Sequence, residues 1–136
     1  MSEGFRLKKM QGKTTEWDME ADRVNITEDI KKLWGVKVIF YPRGKSPFTV
    51  KADEGWVKED DKDEIYLDKN VLIKGHLNSD VKCENLSWDS VSETMHTQSE
   101  VEITGEKWDI KGTGMEISPS GDTVTIAKNV KMELTQ

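Results

Sequence analysis

Residues 17–26 read WDMEADRVNI, and residues 48–57 read FTVKADEGWV. The phrases align on a small residue, Ala21 and Ala52, and the same position returns as Cys83 and Gly112, at spacings of 31, 31 and 29. Two places before it stand Met19, Val50, Val81 and Ile110; five places after it stand Ile26, Val57, Trp88 and Ile117. An acid follows it directly in three copies, as Asp22, Asp53 and Glu84. Between the copies lie VKVIF (36–40), VLIKG (71–75), VEITG (101–105) and VKMEL (130–134), each apolar at alternate positions. A period of two belongs to half-buried strands. The chain therefore reads as about four units of roughly 30 residues, each a pair of antiparallel strands. One such pair cannot bury its apolar face alone, whereas stacking pairs edge to edge buries it and pairs the backbone. The small residue marks close approach of neighbouring strands, with Gly112 and Gly114 allowing a bend or bulge.

Composition agrees. Val and Ile together number 20 and Thr 11, against three Ala, and branched side chains suit a pleated sheet better than a helix. Apolar residues and glycine make up 55 of the 136 residues, below the ordinary ~45–50%, which predicts a core that is shallow, elongated or shared with a ligand. EDDKDE (59–64), SVSE (90–93) and SPSGD (118–122) are turn compositions. YPRGKSP (41–47) is the longest irregular link, and its two prolines keep it out of a central strand. TEDIKKLW (27–34) reads as a turn and strand entry, and no helix-period segment of ten residues appears. The expectation is an all-β stack with a long apolar inner face and two open ends. Residues 1–14 form a lead-in and 15–136 a single domain.

Several chemistries are disfavoured. The net charge is −6, which speaks against a nucleic-acid partner. It is uneven: residues 1–51 carry 11 basic and seven acidic side chains, and residues 52–136 carry nine and 19. Cys83 is the single cysteine, so neither an internal disulfide nor a thiolate zinc site is available. His76 and His96 stand in different units with no partner motif, and read as ordinary sheet residues. EDDKDE lacks the alternating acid spacing of a calcium loop. Asp18 and Glu20 alternate with Trp17 and Met19 and read as the wet side of a strand. No nucleophile elbow or phosphate loop is present. No catalytic residue, metal or cofactor is expected, and no stretch of 18 apolar residues occurs.

WDMEA, SPFTVKADEGWV, IYLDKNVLIKG, WDIKGTGMEI and VTIAKNVKMEL, in that order and at these separations, resemble the LptC family of OstA-like lipopolysaccharide-transport proteins. The resemblance runs from about Thr15 to Leu134. It implies an open, twisted β-jellyroll in the periplasm, anchored to the inner membrane by an N-terminal helix that this sequence does not contain. It also implies three partners: lipopolysaccharide, an inner-membrane ABC transporter at the N-terminal end, and an LptA-type bridge protein at the C-terminal edge. The alternatives are an LptA-like soluble bridge or a non-catalytic β-repeat scaffold, and edge strands also permit a homo-oligomer.

The inward positions near strand centres are then the candidates for acyl chains: Trp17, Met19, Val38, Phe40, Val50, Ile73, Val81, Trp88, Ile103, Trp108, Ile110 and Met132. Lys37, Arg43 and Lys45 are the candidates for phosphate and sugar contacts. The C-terminal edge, with Val124, Ile126, Val130, Met132 and Leu134 on one side, is left uncapped and offers itself for strand addition.

Overall fold

A computed structural model describes residues 4–42, 44–58, 64–89, 91–118 and 123–134. Among the described residues nine strands follow one another: β1 (Phe5–Gln11), β2 (Thr14–Ile26), β3 (Ile30–Phe40), β4 (Phe48–Lys58), β5 (Glu64–His76), β6 (Ser79–Asp89), β7 (Thr94–Thr104), β8 (Trp108–Ile117) and β9 (Val124–Leu134). They form one antiparallel sheet in sequence order, with β1 and β9 at its edges. The four repeat phrases are the even strands β2, β4, β6 and β8, and the segments between them fall in the odd strands that follow. Each repeat is thus one long hairpin.

Two features differ from the sequence reading. Residues 5–11 are not a lead-in: they are a strand of this domain, paired from Phe5↔Ala21 to Gln11↔Thr14. The strands are also long, 10 to 13 residues from β2 to β9, and most are interrupted at their middle. The pairing register shifts between Lys51 and Glu54, Asp68 and Val71, Cys83 and Ser87, Thr97 and Glu100, and Lys111 and Thr113. Positive φ angles at Gly35, Lys69, Asn70, Gly114 and Asn129 lie on the same line. This line is a crease, because bulges bend strands and increase twist. The repeated small residue borders it. At Gly35 (φ 64) a Cβ would also stand 2.2 Å from Asp22 Oδ2.

The crease folds the sheet over on itself. β2 and β6 are four strand spacings apart in sheet order, about 19 Å in a flat sheet at ~4.8 Å each. Yet Trp17 of β2 and Trp88 of β6 meet with ring centroids 6.2 Å apart, and Phe40 of β3 meets Trp88 at 5.9 Å. The half-strands on either side of the crease form two layers whose inner faces share one core. Joined at the crease, with free strand ends opposite, they make an open jellyroll.

Candidate functional site

Cross-strand pairing places eight of the predicted acyl-chain positions on one line. Met19, Val38, Val50, Ile73, Val81, Ile103, Ile110 and Met132 are successive register partners from β2 to β9. Their exposure is graded. Met19, Val38, Val50, Ile73 and Val81 are fully buried, Ile103 nearly so, Ile110 is half-buried, and Met132 is 56% exposed. The row is therefore sealed by protein over most of its length and uncovered only at β9. The sequence alternation gave the face of each residue and a long apolar inner face; in most of the row the opposite layer covers that face.

The uncovered end is extensive. Val130 is 54% and Leu134 71% exposed beside Met132, while Trp108 and Ile110 of β8 are half-buried. Val124 and Ile126, in the other half of β9, are partly buried against the core. The predicted edge strand is thus split by the shift near Lys111 and Thr113 into a covered half and an uncovered half. At the opposite end of the other layer, Ile26 of β2 is 61% exposed. The two layers are offset, so each leaves an apolar overhang. Trp108 is held by a close approach: a Cβ on Gly105 would lie 2.2 Å from its ring.

The remaining candidates stand at the free strand ends, opposite the crease. There Trp17 and Phe40 of one layer close against Trp88 of the other. Phe48 stacks on Phe40 at 5.5 Å, and His76 meets Phe48 edge-on at 4.9 Å. His76 is 3% exposed, a buried member of this aromatic seam. Trp17 is 2% exposed, and its indole N–H has no hydrogen-bond acceptor among the described residues.

Of the proposed polar contacts, Lys45 stands near this seam, in the link that joins Phe40 to Phe48, whereas Lys37 does not. Lys37 is exposed on the outer face, paired with Glu20 and Lys51. Lys45 is exposed in the 41–47 link, and Arg43 lies outside the described residues, as do residues 59–63, Ser90 and 119–122 of the predicted turns. The outer face carries a groove of its own, about 860 Å³, crossing β5 to β9 at the crease and lined by Lys82, Glu102, Lys111 and Lys131 among others. Its lining is mixed, with Val71, Leu72, Cys83 and Val101 beside the charged side chains, whereas the inner row is apolar throughout.

Sequence reasoning missed two further features. Asp18 keeps to the outer side of its strand but is covered there: it is 8% exposed and accepts a bidentate pair of hydrogen bonds from Arg6 of β1, at 2.6 and 3.1 Å. That guanidinium holds the Asp18 carboxyl below the usual carboxylate range. Finding the pair required knowing that residues 5–11 form a strand. Trp34 and Trp56 face outward, Trp34 beneath Arg23 at 4.1 Å and both beside Lys32 at 5.3 and 5.2 Å; they cover the outer layer rather than fill the core. Cys83 is buried, and desolvation pushes its thiol up to about 12. Among the described residues no group of three or more His, Cys, Asp or Glu could hold a metal ion, and no helix is long and apolar enough to cross a membrane.

Over residues 6–135 the sequence matches the family model LptC, described as lipopolysaccharide-assembly, LptC-related. No curated protein matches it.

Proposed function

The chain belongs to the LptC-related family of lipopolysaccharide-assembly proteins, and on that premise we propose that its inner face takes the acyl chains of lipopolysaccharide. In this reading the domain stands in the periplasm, anchored at the inner membrane, receives the lipid from an ABC transporter on the β1 side and passes it to an LptA-type bridge on the β9 side. The observation that carries the reading is the graded row from Met19 to Met132, apolar throughout and bare only at one edge of the sheet. Acyl chains laid on that row gain roughly 0.8 kcal/mol per buried methylene. Lipid binding then requires the layers to part, because the interior is filled by its own side chains.

Both edges support the partner assignments. β1 and β9 each have a single strand neighbour among the described residues, and edge strands accept another strand. At β9 the apolar overhang continues past the edge, so an added strand would extend the inner face as well as the sheet. The two edges differ, which favours head-to-tail contact.

The test is a pair of neighbours on opposite faces. Ile110→Asp should weaken lipopolysaccharide binding at least tenfold, while Lys111→Glu leaves it within about twofold, with thermal unfolding of both variants measured alongside. Equal effects at the two positions, both variants being folded, would rule the inner face out. For the partner, a photoreactive residue at Leu134 should crosslink the bridge protein, and crosslinking at Phe5 instead would reverse the assignment of the two ends.

A further inference from the structure

The seam opposite the crease contains a polar atom that packing does not account for. Trp17 is 2% exposed and wedged between layers, edge-on to Trp88 at an interplanar angle of 80°. Its indole N–H has no acceptor among the described residues. Buried Trp N–H groups usually find a partner, and one left alone is destabilising. A Phe at this place would fill much of the same space without that penalty.

The position of the orphan donor gives it a use. Trp17 stands at the free end of β2, away from the crease, where the two layers touch through Trp17, Phe40 and Trp88. Acyl chains that occupied the inner row with their tails toward the crease would bring their carbonyl ends to this seam. The first atoms of such a ligand able to accept a hydrogen bond are the ester or amide oxygens at the root of each chain. We infer that Trp17 is the residue that senses them: when the seam opens, its indole N–H donates to an acyl-root carbonyl, so that a lipid with such a carbonyl is preferred over a plain hydrocarbon. This rests on the reading of the inner face as the lipid site. The unmet bond in the closed state and the made bond in the lipid-bound state act in the same direction, because each widens the difference between them.

The experiment replaces only the N–H. Trp17→benzothienylalanine keeps the two-ring shape and puts sulfur in place of the nitrogen; Trp17→Phe serves as a second variant. Each is titrated with lipopolysaccharide and with diphenylhexatriene, a hydrocarbon probe that has no acceptor. The inference predicts that the benzothienyl variant is at least as stable as wild type without ligand, and binds lipopolysaccharide about five- to tenfold more weakly. Its affinity for diphenylhexatriene should be unchanged. In the wild type, the indole resonance that disappears in Trp17→Phe should shift downfield when lipopolysaccharide is added. Unchanged lipopolysaccharide affinity, or equal loss for both ligands, overturns the inference while leaving the lipid site standing. If neither ligand binds the wild type, the lipid site itself is wrong and the inference goes with it.

Discussion

At the scale of single residues, two buried ionisable groups report on the closure of the sheet. Cys83 lies in the core beside the crease with its thiol at about 12, so at pH 8 on the order of one molecule in ten thousand carries the reactive thiolate. Cys83 also lines the outer groove, so a thiol reagent should label it slowly until denaturation; rapid labelling of the native protein would mean that the thiol is reached from that groove or that the layers part on their own. Asp18 tests the first strand. Its carboxyl is held below the ordinary 3.8 by Arg6, so the pair contributes stability above that pH and loses it as the pH falls through the depressed value. Arg6→Ala should therefore lower the urea midpoint near neutrality. The gap from wild type should be widest above about pH 5 and close as Asp18 protonates. A gap that does not change with pH would detach the ion pair from the stability of β1. Neither group's environment was legible from its neighbours in sequence. Asp18 sits between Trp17 and Met19 in a plain alternation, which fixes the face of a side chain but not what lies over that face.

At the scale of elements, the repeat made the strands legible and left their bends obscure. Alternation in VKVIF, VLIKG, VEITG and VKMEL gave the odd strands from β3 on, and the four aligned phrases gave the even ones. Strand β1 escaped notice because FRLKKMQ, with Phe5 and Leu7 on the inner face, has no counterpart in the repeat. The crease passes through Gly114, where a bend is expected, but it depends also on residues in left-handed conformation at positions that sequence alone does not single out: Gly35, Lys69, Asn70 and Asn129. The β5–β6 hairpin shows the same departure from preference. Its two-residue turn has Leu77 at φ 51 and Asn78 at φ 59, a pattern that favours Asn or Gly at the first position. Leu77 is 49% exposed, so it makes little packing contribution to offset the strain. Leu77→Asn should stabilise the domain by ~1 kcal/mol, seen as a rise in thermal midpoint. A fall would show that Leu77 has a contact worth more than its backbone strain.

At the scale of the whole molecule, the two faces of the folded sheet differ, and the proposed lipid track is confined to one of them. The inner row is apolar from Met19 to Met132, while the outer face opposite its last strands carries a groove lined by Lys82, Glu102, Lys111 and Lys131. Alternation in the sequence distinguished these faces; it did not reveal that the layers are offset, because offset depends on contacts such as Trp17 with Trp88, 71 positions apart. The most direct measurement uses photoreactive side chains at four sites of two neighbouring strands, Ile110 and Met132 inside and Lys111 and Lys131 outside, with lipopolysaccharide added to the folded protein. Crosslinks are expected at Ile110 and Met132 and none above background at the two lysine positions. Crosslinks confined to Lys111 and Lys131 would put the lipid in the outer groove and contradict the proposed track.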